Sequence, residues 1–76
     1  MNKPRRAQLA ALSTLLDQLK ADLDSVRDDE QNAFDQMPES FQNGERGQRS
    51  ENAISFLDDA IGSLEDAMAS IESASE

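Results

Sequence analysis

The side chains whose spacing invites chemistry here are mostly acidic. Asp28, Glu30, Asn32 and Glu39 fall at positions one, three, five and twelve of a calcium-loop pattern. The sharp turn of such a loop needs glycine at the sixth position, which is Ala33. The same residues continue a helical repeat, so a solvated acidic helix face is the simpler reading. Arg46 and Arg49, with Gln42, Asn43 and Gln48 nearby, are of the type that holds a phosphate or carboxylate at a helix start. Local pairing with Glu39, Glu45 and Glu51 would use up the same charges. The acidic set Asp58, Asp59, Glu65, Asp66 and Glu72 is of the type that mimics nucleic-acid phosphates toward a basic groove.

Catalysis finds little support. The sequence has no His and no Cys, which removes the commonest bases and nucleophiles and the usual zinc, haem and iron–sulfur ligands. Serines abound, but only Lys3 and Lys20 are lysines that could activate one. A di-iron carboxylate bundle would need Glu-x-x-His pairs, which are missing. No catalytic residue, cofactor or metal is therefore expected, and the protein reads as a non-enzyme.

The elements that would position these groups follow from the order of the apolar residues. The 76 residues carry 7 bases and 16 acids, a formal charge of −9, and allow one domain. That charge disfavours direct contact with nucleic acid or with anionic membranes. A chain this short buries only ~60% of its unfolded surface, so its own core is marginal. Disorder is the alternative at such charge, and periodicity argues against it. Leu9, Leu12, Leu16, Leu19, Leu23 and Val26, continued by Ala33 and Met37, step by three and four along one helix, interrupted at Glu30. Pro4 suits its start and Pro38 ends it, giving a helix at about 4–36. Ile54, Leu57, Ile61, Leu64, Met68 and Ile71 form a second seam on a helix at about 45–74, beside a column of Ala53, Ala60, Ala67 and Ala74. Between them, residues 37–44 hold Pro38 and Asn43-Gly44, a turn signal, and Gly47 is expected to loosen the next helix's first turn. The fold class is all-α, an antiparallel two-helix hairpin.

Charge supports this pairing. Arg6, Lys20 and Arg27 share one column flanking the first seam, and Asp58, Glu65 and Glu72 share the equivalent column of the second. Antiparallel packing sets Arg27 by Asp58 and Lys20 by Glu65, with layers Leu16–Ile71, Leu19–Met68, Leu23–Leu64 and Val26–Ile61. Exposed pairs add little energy, so they set register more than stability. Glu30 then falls in the seam opposite Leu57, within reach of Arg27 on its own helix. A carboxylate there either snorkels to water or sets register or partner contact. Leu15, Phe34, Phe56 and the small residues Ala53, Ala60 and Ala67 exceed what one hairpin covers, and are expected at the interface of a homodimeric four-helix bundle.

The run Asp29-Glu30-Gln31, then Met37-Pro38-Glu39-Ser40-Phe41-Gln42 and Glu45-Arg46-Gly47, leads into Ala-Ile-x-x-Leu repeats. From about Ser25 it resembles a group of small uncharacterised acidic helical proteins of bacteriophages, prophages and plasmids. The resemblance implies a helical protein of a mobile genetic element and brings no established activity or site.

The function expected is that of a non-enzymatic protein–protein interaction module that self-associates and has a further, unidentified protein partner. Glu30, Arg46, Arg49, Asp58, Asp59, Glu65, Asp66 and Glu72 are its partner-facing candidates. Two alternatives stand beside it: the acidic set as a decoy for a DNA-binding enzyme, and a phosphorylated ligand at Arg46 and Arg49. The basic N-terminus leads into a stretch too polar for a signal-peptide core, and no apolar run approaches a membrane span, so the cytoplasm is the expected location.

Overall fold

The structure, a computed structural model, describes residues 1–76. Helix α1 runs Lys3–Asp35, a short α2 spans Glu39–Gln42, and α3 runs Glu45–Ala74. Asn2 caps α1, its side chain accepting the Arg5 N–H at 2.9 Å, and Pro4 lies in the first turn. The helix stops ahead of Pro38, whose ring disfavours helical backbone at Met37. Gly44 begins α3 with extended backbone, and its carbonyl accepts the Gln48 N–H at 3.1 Å. Helices α1 and α3 pack antiparallel over a body of 58 × 15 × 11 Å. No helix is long and apolar enough to cross a membrane.

The turn is more structured than its composition suggests. Pro38 accepts both the Phe41 and Gln42 N–H groups and Glu39 accepts that of Asn43, which makes α2 a closed helical turn. The Gln42 side-chain amide reaches back to the Phe34 carbonyl at 2.9 Å. Gly47 does not loosen α3 as expected. It is buried where α2 crosses α3, and a Cβ on it would lie 2.0 Å from the Gln42 carbonyl oxygen. Its role is to admit backbone at a distance that no side chain allows.

Buried residues are few: Gly47, Ser50, Ile54 and Ile61, all on α3. They lie on the predicted α3 seam and extend it one heptad toward the turn, with Leu57, Leu64, Met68 and Ile71 half-buried beside them. Helix α1 is rotated from its expected orientation. Its sheltered residues include Leu9, Ser13, Leu16, Lys20, Leu23, Arg27, Glu30 and Phe34, still stepping by four and three, and Met37 just beyond its end continues the series. Leu19 and Val26 thus leave the layers expected with Met68 and Ile61 and stand 48% and 53% exposed. Lys20 and Arg27, one residue further on, take the sheltered column, their aliphatic stems covering the seam while their charges reach its edge.

Gly62 contrasts with Gly47, since a Cβ there would meet nothing within 4 Å. Glycine inside a helix costs ~0.5–1 kcal/mol relative to alanine. Gly62→Ala should therefore raise the melting temperature by several degrees, at ~4–8 °C per kcal/mol for a domain of this size. Thermal unfolding followed by circular dichroism at one protein concentration checks this.

Candidate interaction surface

The hairpin has two unlike flanks. On one, the Arg27 Nε donates to Asp58 Oδ1 at 2.9 Å, and Lys20 Nζ lies 3.6 Å from Glu65 and 3.8 Å from Asp24. These are the two cross-helix pairs that the sequence register predicts. The hydrogen bond with Asp58 raises the Arg27 pKa above its already high value, partial desolvation opposes this, and the Asp58 and Asp28 charges add to the rise. The acidic set is thereby divided. Asp58 and Glu65 are engaged by bases of α1, whereas Asp59, Asp66 and Glu72 remain exposed and outside any salt bridge.

The other flank is apolar. In an antiparallel pair, the columns carrying Lys20, Arg27, Asp58 and Glu65 meet along one edge of the seam, so the columns across the seam meet along the opposite edge. On α1 that edge holds Leu12, Leu15, Leu19 and Val26, with Leu15 61% exposed. On α3 it holds Ala53, Ala60 and Ala67, the first two half-buried and the third exposed. Phe56, next to Ala53 and Ala60 on the helix surface, is 72% exposed. At the N-terminal end an open depression formed by Met1, Arg5, Gln8, Leu9, Ala11 and Leu12 continues the strip. Phe34 is not part of this flank. It is half-buried within the hairpin, on the side of α1 that faces α3.

Glu30 is half-buried in the seam, and its partner is not Arg27. Its Oε1 accepts from Ser50 Oγ at 2.7 Å, one heptad nearer the turn than Leu57, while Arg27 turns to Asp58 and Asp28. Ser50 is only 3% exposed. It is the residue that reading the sequence missed. Extending the α3 heptad back from Leu57 and Ile54 would have reached Ser50 and Gly47.

At the turn, Arg49 pairs with Glu45 at 2.6 Å and Arg46 lies over the Phe41 ring at 5.6 Å. The two guanidinium groups are engaged locally and separately. Residues 28–35 continue α1, so Asp28, Glu30 and Asn32 are spread around a helix, and no three acidic side chains gather as a metal-binding group. Comparison with protein-family models, curated proteins and solved structures returns no match.

Proposed function

We propose that this protein is a non-enzymatic helical interaction module. It self-associates through its apolar flank into a four-helix bundle and leaves its acidic faces free for a further protein partner. The observation that carries this reading is the strip of Leu12, Leu15, Leu19 and Val26, each about half exposed or more. The surface area agrees with it. The hairpin exposes 5560 Å². A compact monomer of its mass exposes ~4,600 Å². The excess comes from the elongated shape, and it leaves surface enough for an interface of standard size, to which each partner contributes ~800 Å². Ala53, Ala60 and Ala67 beside the leucines permit close helix approach. The resemblance to acidic helical proteins of mobile elements supports placing the chain among such products.

The geometry lends less to the alternatives. A decoy is left with Asp59, Asp66 and Glu72 as its unpaired acids, because Asp58 and Glu65 are paired with Arg27 and Lys20 within the chain. A phosphate site at the turn would first have to free Arg49 from Glu45 and lift Arg46 off Phe41.

Sedimentation equilibrium tests the proposal. Twice the monomer mass at micromolar concentration is expected, together with a melting temperature that rises with protein concentration. Leu15→Glu combined with Leu19→Glu places charges on the flank without touching the buried seam, and should return the monomer mass. A folded monomer in the unaltered chain, or an unchanged dimer in the double variant, would overturn the assignment of the surface.

A further inference from the structure

The charges of α1 run against its own dipole. The first turn carries no acid and the last turn no base, while Lys3, Arg5 and Arg6 lie at the positive end. Asp28, Asp29, Glu30 and Asp35 lie at the negative end. Each arrangement is unfavourable within an isolated helix. Along the apolar flank, steps of three, four and seven place Arg5, Leu12, Leu15, Leu19, Asp22 and Asp29 in one strip: a base, then a leucine cluster, then two acids.

We infer that the occupant of this flank is a second copy of the chain with its α1 antiparallel to the first. This rests on the self-association proposed above and adds its orientation. With the two-fold axis passing near residues 13–17, the leucine clusters of the two copies meet. The Arg5 of each copy then comes alongside the Asp22–Asp29 stretch of the other. The depression at Met1, Gln8 and Leu12 faces Leu19 and Val26 of the second copy. A parallel pair would instead set Arg5 against Arg5, Asp22 against Asp22 and Asp29 against Asp29, like charges at every charged level of the strip. Antiparallel pairing converts the same six groups into attractions and sets two opposed dipoles side by side. The two-fold arrangement is also closed, so it ends at a dimer.

The chain has no cysteine, so single-cysteine variants each carry one spin label. Ala7→Cys and Asp35→Cys are at exposed positions near the two ends of α1. At 1.5 Å rise per residue, antiparallel pairing predicts label separations of ~20–30 Å at residue 7 and ~55–65 Å at residue 35. Pulsed dipolar spectroscopy reads both. Short distances at both positions would mean a parallel pair, overturning the orientation and leaving self-association intact. A long distance at residue 7 with a short one at residue 35 would move the interface to the turn and overturn the inference as well. Absence of any dipolar signal, with a monomer mass in sedimentation, would remove the dimer itself. As a second measurement, Arg5→Glu should weaken dimerisation several-fold, and adding Asp22→Lys and Asp29→Lys should restore it. Weakening without restoration would overturn the proposed facing of these groups.

Discussion

Gly47→Ala should lower the stability of the hairpin by an amount on the order of 2 kcal/mol, although alanine is the better helix former. The added Cβ would sit 2.0 Å from the Gln42 carbonyl oxygen and 2.4 Å from its carbon, both of them backbone. No side chain can turn aside to relieve this, so α2 must lift from α3. Overpacking of this kind costs ~1–3 kcal/mol, occasionally more, and the propensity gain of up to ~1 kcal/mol offsets part of it. Lifting α2 also strains the hydrogen bond that the Gln42 side-chain amide donates to the Phe34 carbonyl. That exposes the end of the hairpin where Gly47 and Ser50 are buried.

The measurement gains from its companion. Gly47→Ala and Gly62→Ala are the same chemical change in the same helix, with opposite expected signs. Melting curves at one protein concentration should move ~10 °C down for the first and several degrees up for the second. If both rise, α2 is free to move off α3 and the close approach has no energetic weight. Gly47→Val should be worse than alanine, since its branched side chain occupies more of the same space and forms helix less readily.

Much of the architecture was legible in the sequence. The α3 seam is a seven-residue repeat of isoleucine, leucine and methionine, so its buried face follows from spacing alone. The antiparallel register was legible from charge and turn together. Acids recur at Asp58, Glu65 and Glu72, so charge alone admits a shift of one heptad. A chain reversal within residues 37–44 selects Arg27 by Asp58 and Lys20 by Glu65. The rotation of α1 was not. Hydrophobicity ranks Leu12, Leu19 and Val26 above Ser13, Lys20 and Arg27, and a reading by apolarity puts the former in the seam. In the hairpin, lysine and arginine stems perform that covering, and Leu12, Leu19 and Val26 are left about half exposed. An apolar stripe wider than one seam is compatible with either rotation, so pattern alone does not choose. The Gly47 contact was illegible for another reason. It depends on where α2 crosses α3, a distance between backbones that no side-chain pattern encodes.

The pairing of Glu30 with Ser50 predicts that two substitutions together will do what neither does alone. Every buried side-chain polar atom has a hydrogen-bond partner, and this pair accounts for the polar content of the seam near the turn. Ser50→Ala removes the donor from a half-buried carboxylate, which should cost ~1 kcal/mol, reduced to the extent that Glu30 swings into water. Glu30→Leu adds apolar surface to the seam but leaves a nearly sealed hydroxyl without its acceptor. That hydroxyl can fall back on the carbonyl of Arg46 one turn earlier, a weaker substitute, so the single change should be close to neutral. Glu30→Leu with Ser50→Ala removes both polar groups and continues the apolar seam toward Gly47. It should be more stable than the unaltered chain by ~1–2 kcal/mol, as replacement of buried polar pairs by apolar groups often is. The double-mutant cycle should then show a coupling of ~1 kcal/mol or more between the two sites. Denaturant unfolding of the four forms at equal concentration measures it. Additive effects would mean that Glu30 is solvated and the hydrogen bond carries no net energy. Sedimentation of the same four proteins asks what the polar pair is for. If it specifies how the chain packs, the stabilised double variant should populate assemblies that the unaltered chain does not, since an unbroken apolar seam no longer distinguishes one register from the next.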